Sequence, residues 1–421
     1  MKIDQIILLE PKSVENFYPF SVLHCIWEIR CGALRIFEKI QKILPDSELI
    51  FSGRTDHLAS FLARENITNR VPREANTLIL YAGSLINNDF KALISETYAK
   101  AGGEGPLVLK TGNDLLGMYL PGEFLQNNPG QLDNIIVNCV EEDQFNDFNK
   151  ADIAGVNKIN YLYDAIYENA EAIFDDQKIL DDSFDSFYPV DWPATYAVNP
   201  GDIMIADSVN ISPGVVINAT EGPVIIDEGA KIMAHASIIG PCYIGKNSTI
   251  KIGAKIYEDC SFGPNCKIGG ELENTIIHGY SNKQHDGFLG HSYIGEWVNF
   301  GADTNNSDLK NTYGNIKIRI EDREIDTGKM FLGLLCGDHT KSGINTMFTT
   351  GTVAGICGIL VKEWFLPNFI PSFSWGGGKN SPTYKSSKAI ETARKVMARR
   401  SRELLPEEEK LILAEYKRIA G

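Results

Sequence analysis

Apolar residues return at every sixth position through the second half of this chain. Ile226, Ile232, Ile238, Ile244, Ile250, Ile256, Phe262 and Ile268 stand in one unbroken register, and Ile205, Ile211 and Ile217 share the spacing ahead of a short insertion. Helices repeat near 3.6 residues and strands at two. A period of six instead predicts a parallel β-helix, with a short strand and a corner per repeat and three repeats per coil. The aliphatic residue points inward and stacks on its equivalents, each contributing roughly 1.5–3 kcal/mol by burial. Gly214, Gly229, Gly240, Gly253, Gly263 and Gly269 suit the tight corners. The repeat is expected to run from about 203 to about 362, with one long interruption at 304–333.

Upstream the rhythm changes. Residues 3–9 (IDQIILL), 49–51 (LIF), 77–83 (TLILYAG) and 107–110 (LVLK) read as strands, and 31–43, 55–64 and 90–101 as helices. Strands alternating with helices predict a parallel α/β sheet. Residues 159–176 carry the spacing of an amphipathic helix, and the aspartate- and proline-rich stretch 177–200 reads as a boundary. Past the repeat, 365–379 leads into two helices, 384–402 and 406–420. Pro406 with Glu407, Glu408 and Glu409 starts the second one well. The expected parts are an α/β domain over 1–190, a β-helix over 200–365 and a helical tail over 366–421.

Composition narrows the function classes. A chain of 421 residues holds about two or three domains. The net charge of −15 argues against a nucleic-acid partner. Eight cysteines without a CxxC pair indicate neither zinc nor a disulfide framework, and fit a reducing, cytoplasmic setting. The opening MKIDQIILLEPKS lacks the apolar core of a signal peptide, and no run of about 18 apolar residues predicts a membrane span.

Three stretches carry a family likeness: PFSVLHCIWEIRCGALRIFEKI (19–40), GYSNKQHDGFLGHSYIGEWVNFGADTNNSDLKNTYGNIKI (279–318) and FIPSFSWGGGKNSPTYK (369–385). With an α/β domain ahead of a six-residue repeat, the chain resembles the bifunctional N-acetylglucosamine-1-phosphate uridylyltransferase/glucosamine-1-phosphate acetyltransferase family. The likeness is nearest to its divergent branch of sugar nucleotidyltransferases. It implies a nucleotidyltransferase-like α/β domain followed by a left-handed parallel β-helix, the exception to right-handed crossovers. It also implies a homotrimer using sugar-1-phosphate, nucleoside triphosphate with Mg2+, and acetyl-CoA or another acyl-CoA as donor.

Within the β-helix the family motif runs histidine, an aromatic three residues on, L-G, and later V-N-x-G-A. HDGFLGHSYIGEWVNFGA matches it from His285, with Phe288 on the aromatic, Leu289-Gly290 on L-G and Val298-Asn299 on V-N. The resemblance makes His285 the base that takes a proton from an amine attacking a thioester, a role that suits imidazole. Asn299 would hold the sugar or polarise the reacting carbonyl. Phe288 stands where the family has tyrosine, so one hydroxyl contact is lost. His291 falls on the next face and reads as structural; His235 and His278 read as surface residues. The γ-carbonic anhydrases place zinc-binding histidines on β-helices too, but no such converging pattern is evident. The family's phosphate-neutralising arginine and lysine are also missing: 257–265 reads YEDCSFGPN, and Glu273 stands near the lysine position. Lys283 and Lys310 are the local cations available as substitutes.

The N-terminal domain departs further. It lacks the glycine-rich loop that cradles phosphate. In its place lies EIRCG, and the divergent branch carries an E-x-R-x-G element there, which singles out Glu28, Arg30 and Gly32 as nucleotide- or phosphate-binding residues, with Arg30 the candidate phosphate ligand. The plainer alternative is a surface ion pair of Glu28 with Arg30. No magnesium-holding aspartate is evident after the central strand; Asp89 is the nearest carboxylate. SWGGGK (374–379) offers glycine N–H groups to a phosphate, though a flexible linker is the simpler reading. Three functions compete: a bifunctional nucleotidyl- and acyltransferase, a nucleotidyltransferase whose β-helix is a trimerisation scaffold, and a non-catalytic sugar-nucleotide-binding protein.

Overall fold

The computed structural model describes residues 1–138, 145, 147–180, 184–187, 191–361, 366–378 and 381–420; Cys139 and Lys379 lie outside them. The chain divides into two compact units, one of residues 1–16, 24–29 and 34–160, the other of 17–23, 30–33 and 161–421.

The first unit is built on a sheet of β1 (Gln5–Leu9), β2 (Glu48–Ser52), β3 (Thr77–Tyr81), β4 (Leu107–Thr111), β5 (Asp114–Leu120) and β6 (Asn149–Asp152), in the order β2-β1-β3-β5-β4-β6. β1 lies parallel to β2 and β3, and β4 parallel to β6, whereas β5 is antiparallel to both neighbours. The sheet is therefore mixed, which corrects the wholly parallel expectation. A tight turn with Gly112 at φ +55° joins β4 to β5, and it is too short for a parallel crossover. The first helix, Ile36–Ile43, starts later than the periodicity predicts. Arg35 and Glu38 cap it, and the N–H groups of Gly32 and Ala33 go instead to Asn169 Oδ1 and Asp176 Oδ2. The helices at 55–65 and 90–100 form as predicted.

In the second unit the predicted helix over 159–176 is two, Asp164–Tyr167 and Asn169–Leu180. The β-helix follows as predicted, and its inward residues form three rows. One runs Ile205, Ile226, Ile244, Phe262, Ile277, Ile294, Cys336, Ala354, Ile370. A second runs Ile211, Ile232, Ile250, Ile268, Lys283, and continues through Phe300 and Ser342 to Leu360. The third holds Ile217, Ile238, Ile256, Leu272 and Leu289, then Asn306 and Phe348. The stack from Ile226 to Ile268 is fully buried. Pairing starts at Tyr196–Val198 and reaches Phe369–Ile370, beyond both expected ends. The interruption falls between the strands Asn305–Asn306 and Leu334–Cys336 and carries an antiparallel hairpin, Lys317–Ile320 with Arg323–Asp326.

Lys283, Asn306 and Ser342 put one polar side chain into each of three successive coils of this core, and each is hydrogen-bonded, as burial demands. Asn306 accepts from the Gly290 N–H at 2.9 Å and donates to the Gly290 carbonyl at 2.9 Å. Ser342 Oγ meets Thr304 Oγ at 2.8 Å. Corner glycines differ in purpose. Gly229 takes a φ of +68°, which costs glycine little. Gly263 does not; a Cβ there would stand 1.8 Å from the His278 carbonyl oxygen, so close approach of two coils requires glycine.

The SWGGG stretch closes the β-helix and is no flexible linker: Trp375 bridges Ile359 and Ser374 bridges Thr383. The helices Ser386–Ala398 and Pro406–Ala420 follow, burying Ile390, Leu411 and Ile412 with Ile356, Cys357 and Phe373. Among the described residues no helix is long and apolar enough to cross a membrane. The seven described cysteines are free and buried.

Candidate functional site

The motif read from the sequence lies on the strand Phe288–Glu296 and the corner before it. This strand pairs in register with Glu271–Gly279 on one side and Leu334–Cys336 on the other. His285 and Asp286 project from the corner and are exposed. No hydrogen-bond partner holds the His285 side chain among the described residues, so its imidazole is free to meet a ligand. The corner's backbone is held tightly. The Asp303 N–H donates to the Asp286 carbonyl at 3.1 Å, and the Phe288 N–H to Asn305 Oδ1 at 2.8 Å.

Lys283 supports the same corner from within. Its side chain takes an inward position in line with Ile268 and is buried. Nζ donates to the carbonyls of His285 at 2.5 Å, Asp286 at 3.1 Å and Gly269 at 3.3 Å. Burial pushes its pKa down to about 8, against Asp286 and Asp303, which favour the charged form. Lys310 sits in the interruption, with Nζ on the Asn315 carbonyl at 2.5 Å. Asn299 lies in the outward row between Asn282 and Lys341 and accepts from Asn282 Nδ2 at 3.2 Å. The structure thus joins Lys283 to the His285 corner and sets Asn299 beside Asn282, the residue before Lys283. Lys310 keeps to its own turn.

Phe288 is half-buried with its ring over Gly290. A Cβ on Gly290 would come within 2.5 Å of that ring and 2.4 Å of Asp308 Oδ2. Asp308 in turn pairs with His291, Nδ1 to Oδ2 at 2.8 Å. The carboxylate acceptor makes Nδ1 a donor. The His291 ring stacks on Phe331 at 5.0 Å. Burial raises the carboxyl pKa of Glu273 and of Asp259, and nearby His291 opposes both shifts. The signal for this pair was in the sequence. Coils here are 17 residues long, and His291 and Asp308 are 17 apart, as are Asn282 and Asn299.

Arg30 is buried in the second unit. Its Nε donates to the His278 carbonyl at 3.3 Å and its Nη1 to the Ala33 carbonyl, and its guanidinium lies 5.7 Å from the Tyr243 ring centroid. Its backbone N–H donates to Tyr293 Oη at 3.1 Å. Among the described residues no carboxylate pairs with Arg30. Gly32 has φ +85°, and its N–H is taken by Asn169 at 2.8 Å. His278, expected at the surface, is buried instead, its Nδ1 3.3 Å from Tyr293 Oη and its ring edge-on to Phe20. Gly263 is what admits its backbone.

Glu28 belongs to the first unit and pairs with Arg64 and His24 there, not with Arg30. It also accepts the Cys25 N–H at 2.8 Å. Burial would raise its pKa, but Arg64 and His24 outweigh burial and hold it at about 2. Just past β1, Glu10 accepts from the Ile26 N–H at 3.1 Å, the Arg54 N–H at 2.9 Å, Arg54 Nε at 3.1 Å and Arg54 Nη2 at 2.9 Å. The carboxylates at this sheet end are thus engaged by the protein's own donors and do not fit a magnesium ion. Asp89, the carboxylate nearest after β3, is exposed at the start of the helix Phe90–Lys100.

Residues 6–183 match a family model described as sugar nucleotidyl transferase. The chain is 34% identical over 141 residues to a bifunctional sugar-1-phosphate nucleotidylyltransferase/acetyltransferase from Sulfurisphaera tokodaii, covering 32% of this chain and 34% of that one. It is 30% identical over 179 residues to the bifunctional protein GlmU of Trichormus variabilis, covering 38% and 36%. With GlmU of Methanocaldococcus jannaschii it shares 32% identity over 85 residues, 20% and 21% of the two chains. The chain spans about a third of the length of the first two of these relatives. It thus has a sugar nucleotidyl transferase-like domain over residues 6–183 ahead of a six-residue-repeat β-helix, and part of it is similar to the bifunctional sugar-1-phosphate nucleotidylyltransferase/acetyltransferases.

Proposed function

We propose that this protein is a nucleotide-sugar enzyme whose β-helix transfers an acyl group from acetyl-CoA, or another acyl-CoA, to an amino-sugar. The observation that carries this reading is the free imidazole of His285 on a corner whose backbone is fixed, next to the strand that bears Phe288. The amine nitrogen attacks the thioester carbonyl and a C–N bond forms. His285 takes the amine proton. The C–S bond breaks, and the proton returns to the departing thiolate. A positioned base of this kind is worth about 10²–10⁴-fold in rate. Phe288 offers an apolar wall to the sugar, and Asn299 an amide for its hydroxyl or acyl oxygen. The chain acts as a homotrimer in this reading.

The N-terminal domain would join a sugar-1-phosphate to a nucleoside triphosphate. The family likeness proposes Arg30 as its phosphate ligand, although Arg30 Nε and Nη1 are taken by the His278 and Ala33 carbonyls in the second unit. The engaged carboxylates Glu10 and Glu28 favour a second reading for this domain alone, in which it binds a sugar nucleotide without turning it over.

An assay of purified protein against sugar-1-phosphates and nucleoside triphosphates, with and without acetyl-CoA, separates these readings. His285→Ala should cut acyl transfer by about 10²-fold or more with the melting temperature nearly unchanged. Full activity in that variant would remove His285 as the base, and no acyl transfer by the wild type would leave the β-helix as a scaffold. Calorimetric titration of nucleotide into Arg30→Ala should show weakened binding, and unchanged binding removes Arg30 from the site.

A further inference from the structure

Lys283 occupies a position the fold otherwise gives to hydrocarbon. Ile211, Ile232, Ile250 and Ile268 precede it in the same inward row. Its side chain is 1% exposed, comparable with the isoleucines. An ammonium so placed is costly unless its N–H groups are all met. Three carbonyls meet it here. Two belong to His285 and Asp286, on the exposed corner, and the third to Gly269, one coil earlier. The carbonyls converge closely. A Cβ on Gly270 would stand 2.9 Å from Nζ, 2.8 Å from the His285 oxygen and 2.7 Å from the Gly287 oxygen, and Gly270 itself has φ +83°. An aliphatic residue at 283 would fill the row and remove the Nζ donor from all three oxygens, leaving the Asp286 oxygen with the Asp303 N–H.

We propose that Lys283 is a positioning residue for acyl transfer: its ammonium, acting from inside the β-helix, ties the backbone of His285 to the preceding coil and so fixes the direction of the imidazole. This rests on the acyl-transfer reading above. The charged groups that face Nζ are Asp286 on its own corner and Asp303 on the next coil, and both favour the protonated form, while burial opposes it and sets the pKa at about 8. A neutral amine has two N–H groups for three carbonyls and no charge to hold them. The tie therefore weakens as pH rises through about 8. The linkage to global stability runs the other way. A lysine whose folded pKa lies below its ordinary value destabilises the fold while it is charged, and that penalty is relieved between about 8 and 10.5. Lys283 should therefore lose its hold on the corner over the same pH range in which its contribution to overall stability improves.

The test uses the full-length protein and Lys283→Met, which keeps the chain length and suits the row. Three readouts are compared: melting temperature, amide hydrogen exchange over residues 284–290, and acyl transfer from acetyl-CoA. The variant should melt at or above the wild type, exchange about tenfold faster in that segment only, and lose about tenfold or more in kcat with KM for acetyl-CoA within about twofold. The wild type should lose kcat and protection of the corner between about pH 7 and about pH 9.5, and the variant's residual kcat should lack that alkaline fall. A folded variant with wild-type exchange and kcat overturns the proposal. If Lys283→Met does not fold, the wild-type exchange at the two pH values decides, and a corner equally protected at both overturns it. A wild type that transfers no acyl group overturns the acyl reading and the catalytic half of this proposal; corner exchange then decides the tie alone.

Discussion

Glu28, Arg30 and Lys283 are buried charges that the chain accommodates by different means. Glu28 has Arg64, His24 and a backbone donor, Lys283 has three carbonyls, and Arg30 has carbonyls and an aromatic face. Removing one partner of a buried pair costs more than the pair contributes. Glu28→Gln should therefore destabilise the first unit by about 3 kcal/mol near neutral pH. Its folded pKa is depressed, so its contribution is complete above about 4.5 and fades as pH falls through about 2. Melting temperatures of wild type and variant should converge over that range; a constant gap would mean that lost packing, not charge, sets the cost. His291 makes a second case. Its pairing with Asp308 and stacking on Phe331 predict that His291→Ala lowers the melting temperature, by about 1–2 kcal/mol of stability. His285→Ala, which removes no side-chain hydrogen bond or ion pair among the described residues, should not. Matched thermal melts of the two variants check this.

Elements whose physics is local were legible in the sequence; those set by distant partners were not. The isoleucine rows repeat because each coil needs the same filler, so Ile226 through Ile268 could be placed without a structure. The antiparallel β5 went unseen because a four-residue turn leaves little pattern. The first helix was drawn too long because Gly32 and Ala33 spend their N–H groups on residues more than a hundred positions away. His278 looked like a surface residue because a lone histidine carries no mark of the glycine that admits it. For the site, the His285 motif was readable, but the internal tie from Lys283 was not, since a lysine in a row of isoleucines looks like an outward side chain. The C-terminal helix gives an element-scale prediction. Glu415 accepts from Ser372 Oγ at 2.6 Å in a buried contact, and Arg418 pairs with both Glu415 and Glu321. Glu415→Ala should loosen the helix Pro406–Ala420 first, seen as faster hydrogen exchange over 406–420 with the isoleucine rows still protected.

At the scale of the whole molecule, a β-helix presents long strand-lined faces, and such surfaces are commonly covered in solution. Sedimentation at micromolar concentration should show a trimer, consistent with the proposed acyl site; a stable monomer would refute it. In a solenoid each coil leans only on its neighbours, so cohesion is a chain of nearest-neighbour links. The stretch of three successive coils that carries Lys283, Asn306 and Ser342 is where polar side chains break the hydrocarbon rows, and the interruption enters the chain within it. It should behave as a fracture plane. Pulled from its ends, the β-helix is expected to rupture in two steps, the isoleucine block before Lys283 holding after the coils beyond Ser342 have come apart. A Lys283→Met, Asn306→Leu double variant should weld the two steps into one in a force–extension trace.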